Sequence, residues 1–254
     1  MTVPGGRGPL LAGVVGVAAV LGFRALGLAW PDVAALVSLL VILPVLSVVQ
    51  VGALGDTEIE RMPAYLSSIV SLGVLGAAAA GVGWRHGGAS ALGLVGLPWG
   101  AFLTWTGGLV AGGLLVTGLF RQVGMTLGMR EAPLLRSLLP VTERERLAFG
   151  GLSVAAGVGE ELAYRGYVMG VLGGIVGGPW AAVISSLVFG LLHVYQGPLG
   201  ILRTATLGGL LAWGFLATGS LWPSIVAHAA LDVLLGIFLA ERMMVPPDPS
   251  GVST

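Results

Sequence analysis

Apolar runs of about 18 residues or more recur along this chain, and a run of that length is what an α-helix needs to cross a bilayer. They fall at residues 10–29, 33–51, 64–83, 100–120, 147–175, 199–217 and 221–240, with a shorter one at 180–194, which makes roughly eight spans, give or take one. In lipid every backbone N–H and C=O must be satisfied internally, which leaves helices or closed barrels. The alternating segments of about ten residues that build a membrane barrel are absent. The expected fold is all-α: a polytopic transmembrane helical bundle with a buried polar cavity.

Composition narrows the function. Hydrophobic residues make up 56% of the 254 and charged residues 9%, against roughly a quarter charged in a soluble domain. The 44 glycines suit a bundle whose small residues let helix backbones approach closely. With no Cys, disulfides and thiolate metal sites are excluded, and zinc would need His and carboxylates. Twelve basic residues, all Arg, balance twelve acidic ones; this leaves no electrostatic footprint for nucleic acid. No phosphate-binding loop or nucleotide fingerprint occurs. The 10–29 run is too long for a signal-peptide core and counts as a span.

One membrane domain, 1–254, is expected. Residues 1–146 carry the N-terminal spans and an interfacial segment, and 147–240 carry the chemistry. Turn residues at Trp30-Pro31-Asp32, Gly87-Gly88, Gly177-Gly178-Pro179, Gly197-Pro198 and Trp222-Pro223 punctuate the runs, and Trp30, Trp180 and Trp222 read as interfacial anchors. Arg7, Arg61, Arg121, Arg130, Arg136, Arg144, Arg146, Arg203 and Arg242 fall on or near one side, with Arg24 and Arg85 on the other. The excess of Arg marks the cytoplasmic side, so the N-terminus is expected there, in a multi-pass protein of a prokaryotic plasma membrane. Residues 133–140 form a short amphipathic piece suited to the membrane surface. Thr142 and Glu145 have the spacing of a capping box that opens the fifth long helix.

Ionisable residues inside that helix need a reason. Glu160, Glu161 and Arg165 lie within an apolar run, where each unpaired charge costs about 2.5 to 3.5 kcal/mol, or on the order of 10 kcal/mol for the three. Glu161 and Arg165 are four apart with the acid first, the preferred order for a helical ion pair. Glu160 points about 100° away and is left without that partner. One fixed carboxylate beside one tunable carboxylate suits general-base catalysis. A network that only holds helices together does not need the second Glu. His193 ends the sixth run after Phe189, and His228 and Asp232 share a face of the eighth. His86, the third His, sits beside Arg85 in a loop and reads as solvated. Phe189 and Tyr164 read as packing residues, and Gly166, Gly170 and Gly174 as a helix-packing face.

Taken together, Glu-Glu-x-x-x-Arg, Phe-x-x-x-His and His-x-x-x-Asp, in that order on separate helices, resemble the CPBP family of CAAX-processing and bacteriocin-processing intramembrane proteases. The resemblance covers roughly 147–240. It implies a helical bundle opening into a hydrophilic cavity and glutamate-type peptidase activity, hydrolysing a peptide bond near the C-terminus of a membrane-associated or prenylated substrate. It implies that Glu160 and His193 activate a water, that Glu161 and Arg165 support that site, and that His228 with Asp232 binds the developing oxyanion. Family members often carry Asn in the place of Asp232; a carboxylate there serves when protonated, or by orienting His228.

On this reading the partners are a peptide or membrane-protein substrate and the bilayer, with no nucleotide, no nucleic acid and no cofactor. A zinc-dependent peptidase is the nearest rival, with Glu160, His193 and His228 as ligands, although the His-Glu-x-x-His pair that would make it strong is absent. A proton-coupled transporter also uses buried Glu, Arg and His, but no inverted repeat is visible. A non-catalytic membrane scaffold is the third reading.

Overall fold

The computed structural model describes residues 7–54 and 59–243; residues 1–6, expected on the cytoplasmic side, fall outside the described residues. Among the described residues the chain is helical and contains no strand. The helices are α1 (Arg7–Ala25), α2 (Trp30–Val37), α3 (Leu43–Leu54), α4 (Arg61–Gly83), α5 (Trp99–Leu127), α6 (Pro133–Ser137), α7 (Glu143–Glu160), α8 (Met169–Val176), α9 (Gly178–Leu192), α10 (Gly197–Thr218), α11 (Trp222–Val233) and α12 (Ala240–Met243). Four helical stretches are long and apolar enough to cross a membrane: Trp30–Ala53, Arg61–His86, Trp99–Leu127 and Val194–Thr218. Ala12–Ala25, Gly178–Leu192 and Trp222–Phe238 are shorter apolar helices.

Proline sets five of the twelve described helix starts. Pro31, Pro133, Pro179, Pro198 and Pro223 all occupy the first turn of a helix, where the missing N–H leaves no bond unmade and the fixed φ matches the helix. Four of the five stretches read from sequence as turns, Trp30-Pro31-Asp32 among them, therefore lead into helix starts, whereas Gly87-Gly88 is a turn as expected. The capping box forms as expected: the Glu145 amide donates to Thr142 Oγ1 at 3.2 Å, and the Val141 and Thr142 amides donate to Glu145 Oε2 at 2.8 and 2.9 Å. These backbone donors hold the Glu145 carboxyl below the usual carboxylate range.

The 147–175 run is one helical path but not one uniform helix. Between α7 and α8, residues Glu161–Val168 wind as a π-helix, and shorter π-turns interrupt Ser38–Ile42 and Leu234–Phe238. Such bulges are rare and collect at functional sites. This one contains Glu161 and Arg165.

The two ends of the bundle differ. At one, Ser220 Oγ donates to the Val95 carbonyl at 2.7 Å and Asp32 meets His86; Trp30, Trp84, Trp99, Trp180 and Trp222 start or end helices here and are exposed, forming an interfacial aromatic belt. At the other end, Arg61 Nε donates to the Ser137 carbonyl at 2.8 Å and Tyr65 Oη to the Leu138 carbonyl at 2.6 Å, strapping α6 across the start of α4.

Close backbone contacts pin α7 just before its paired acids. A Cβ on Gly159 would lie 2.4 Å from the Leu72 carbonyl oxygen of α4, and one on Gly157 would lie 2.8 Å from that of Ile225 in α11. Only glycine permits both approaches. Gly166 and Gly170 face the 91–92 segment rather than another helix, and Gly174 faces open space, so the expected three-glycine helix face does not exist. Gly159→Ala should lower the thermal unfolding midpoint in detergent by the equivalent of about 1–3 kcal/mol. Gly150→Ala, where nothing lies within 4 Å, should leave it unchanged or raise it slightly; equal effects would contradict this packing.

Candidate active site

The site grows from one buried ion pair. Arg165 Nη1 donates to Glu161 Oε1 at 2.6 Å, and both side chains are fully buried. Arg165 Nη2 donates to the Gly208 carbonyl of α10 at 3.1 Å, and the guanidinium lies 4.4 Å from the centre of the Phe189 ring, a cation–π contact. A Cβ at Gly208 would come within 2.9 Å of Nη2 and 3.2 Å of the Phe189 ring, so the cradle requires glycine there. Glu161 Oε2 and Arg165 Nε remain buried without a hydrogen-bond partner, each at a cost of about 1–3 kcal/mol. The site is an expensive one to fold.

Glu161 also fixes the first histidine. His228 Nδ1 lies 2.9 Å from Glu161 Oε1, and a carboxylate accepts, so Nδ1 carries the proton. The opposite nitrogen, Nε2, is 3.6 Å from Glu160 Oε2 and 3.7 Å from Asp232 Oδ2. His228 thus stands among three carboxylates. Its own helix supplies one, and the α7 junction supplies the two adjacent acids.

His193 reaches the site by a different device. Helix α9 has 15 residues, about 22 Å, less than the roughly 30 Å of hydrocarbon in a bilayer. The turn after it therefore lies within the membrane thickness. There His193 Nδ1 donates to the Phe189 carbonyl at 2.8 Å, because a carbonyl only accepts. Nε2 is left with a lone pair, and the ring lines the same cavity as Glu160, His228 and Asp232.

That cavity measures about 750 Å³. Its lining combines polar side chains, among them Glu160, His193, Tyr195, Gln196, His228 and Asp232, with many leucines, including those of α4, α6 and α10. All four residues assigned to catalysis line it, whereas Glu161 and Arg165 stand behind its wall. Among the described residues no group of three or more His, Asp or Glu side chains is placed to hold a metal ion.

Several residues do more than their sequence reading gave them. Phe189 packs against Tyr164, His193 and His228 with ring centres 5.8, 4.8 and 5.8 Å apart; it is the apolar hub of the site, and its i, i+4 spacing to His193 was the available signal. Tyr164 is fully buried, donates to the Leu39 carbonyl at 3.2 Å, and borders the cavity. His86 is not merely solvated: its Nε2 lies 2.8 Å from Asp32 Oδ1. Asp32 is buried and also accepts from Tyr167 Oη at 3.1 Å. Arg203, placed by sequence only as a topology marker, is buried against Glu131 at 2.6 Å.

The structure is thus a helical bundle with carboxylates and histidines gathered on an internal cavity. Residues 143–234 match the family described as Type II CAAX prenyl endopeptidase Rce1-like. That stretch contains Glu160, Glu161, Arg165, His193, His228 and Asp232, and over it the chain is similar to the CPBP/CAAX proteases. No curated protein and no solved structure matches the chain. Removing one partner of the buried pair, as in Arg165→Met, should destabilise the protein by about 3–5 kcal/mol. Glu161→Leu with Arg165→Met should regain most of that stability but no activity; a stable and active double variant would show that the pair is not part of the site.

Proposed function

We propose that the chain is an intramembrane endopeptidase in which Glu160 is the general base for a water held between Glu160 and His193. The observation that carries this reading is the placement of Glu160 beside, but outside, the Glu161–Arg165 pair. Glu161 is committed to Arg165 and His228, while Glu160 borders the cavity with no basic side chain closer than the 3.6 Å to His228 Nε2. His193 Nε2, acceptor-ready, is the second group that orients the water.

The bond changes follow. Glu160 takes a proton from water as the oxygen attacks the scissile carbonyl carbon. The carbonyl oxygen, now negative, is met by the Nε2–H of His228, which acts as the imidazolium with both ring nitrogens protonated; Glu161 sets the ring through Nδ1 and Asp232 supports its orientation. The tetrahedral intermediate collapses, the C–N bond breaks, and the amine leaves with the proton from Glu160. No cofactor is needed for this sequence.

Cavity size supports an extended substrate segment. A helix about 11 Å across and about 16 Å long occupies roughly 1,500 Å³, twice the cavity, whereas small-ligand pockets run to roughly 300–1,000 Å³. A few extended residues with an apolar group against the lining leucines would fill it, in keeping with a membrane-associated or prenylated C-terminal segment. The lining reaches Gln50, Ala64 and α6 at the end of the bundle that carries Arg61, Arg144 and Arg146. By the Arg rule that end is cytoplasmic, and cleavage takes place on that side.

The test is cleavage of a quenched-fluorescence peptide library, with prenylated members, by purified protein in detergent. Wild type should cleave in the presence of chelator, and Glu160→Ala and His193→Ala should each lose on the order of 10²-fold or more in kcat. Loss of cleavage on chelation, restored by zinc, would replace water activation by Glu160 with metal chemistry. No cleavage by folded wild type would point to transport or scaffolding.

A further inference from the structure

The second buried ion pair of the cavity lies apart from the acids, and the peptidase reading makes no use of it. Arg203 Nη1 donates to Glu131 Oε1 at 2.6 Å and Nη2 to Gln196 Oε1 at 3.1 Å, with the two charged side chains 8% and 0% exposed. Gln196 Oε1 also accepts from Thr204 Oγ1 at 3.1 Å, and its carbonyl accepts from the Ala132 amide at 3.4 Å. Gln196 closes the turn begun by His193, its amide donating to the His193 carbonyl at 2.9 Å. Glu131 and Ala132 begin the strap that runs into α6. At its far end the strap is held by Arg61 and Tyr65, and between these fastenings Leu134, Leu135, Leu138 and Leu139 line the cavity.

The same few residues thus carry one wall of the cavity and the turn that presents His193. Leucines alone would hold a strap to an apolar groove. A buried carboxylate–guanidinium pair adds direction, because its geometry is satisfied in one register. Glu131 lies outside the matched residues 143–234, so the family match says nothing about it.

We infer that Glu131 and Arg203 are positioning residues: their ion pair docks the 131–139 strap on the His193–Gln196 turn, so that closing the cavity wall and setting the His193 ring are one arrangement. The inference rests on the peptidase reading for its catalytic half, while the docking half stands on the contacts alone. A misplacement of a reacting group by about 1 Å can cost on the order of 10²-fold in rate, so a loosened turn should be read in kcat.

The chain has no Cys, so a single Leu135→Cys reports strap exposure through its rate of labelling by a maleimide. In that background Glu131→Gln, which keeps the shape and removes the charge, should speed labelling at least about fivefold and lower kcat about tenfold or more. Glu131→Arg combined with Arg203→Glu should restore slow labelling and bring kcat back to within about threefold. Unchanged labelling in Glu131→Gln overturns the docking. Faster labelling with unchanged kcat overturns the positioning of His193. If the swapped pair does not fold, Arg203→Gln takes its place and must reproduce both effects of Glu131→Gln. A wild type that cleaves nothing, yet whose strap is labelled faster in Glu131→Gln, defeats the peptidase reading and leaves the docking in place.

Discussion

A fully buried bond between Glu161 and Arg165 is the constraint around which the bundle is organised. Inside a membrane neither ion has water to return to, so the pair must be enclosed and its remaining valences met by neighbouring helices. Gly208 supplies a carbonyl and room for the guanidinium, Phe189 supplies a ring face, and His228 supplies a donor to the shared carboxylate oxygen. Meeting those demands brings α9, α10 and α11 around one point of the α7–α8 path. The arrangement that pairs Arg165 is also the one that leaves Glu160 on the cavity and turns His228 toward it.

Close packing makes the enclosure possible. Gly157 and Gly159 bring α7 into backbone contact with α11 and α4 one turn before the acids, and the π-winding that follows places Glu161 and Arg165 on a widened turn. Short α9 then ends inside the bundle, so His193 arrives from a turn and not from a helix face. The end of α7 thus brings Glu160, the turn after α9 brings His193, and α11 brings His228 and Asp232 to one cavity of about 750 Å³.

Much of this was legible in the sequence. The apolar runs gave the helical bundle, the spacing of Glu161 and Arg165 gave their pairing, and Thr142 with Glu145 gave the cap, because each depends on residues within one helical turn. The grouping of Glu160, His193, His228 and Asp232 on one cavity was legible only through the ordered motifs. What stayed hidden depends on distant partners: His86 with Asp32, Arg203 with Glu131, and the strap tied by Tyr65 are separated by many residues, and nothing local announces them. Phe189 was undervalued because an aromatic in an apolar helix looks like packing, and here it packs the site itself. The glycine row at Gly166, Gly170 and Gly174 misled for the opposite reason: Gly166 and Gly170 do face one neighbour, but it is the 91–92 segment and not a helix, and Gly174 meets nothing.

The central claim is that Glu160 and His193 act on the same water, and a double-mutant cycle on kcat tests it most directly. If they form one unit, Glu160→Gln combined with His193→Ala should be no slower than the slower single variant, because the first loss already removes the activated water. Losses that multiply, with the double variant slower by the product of the two single effects, would mean that the two side chains act independently and would contradict the account.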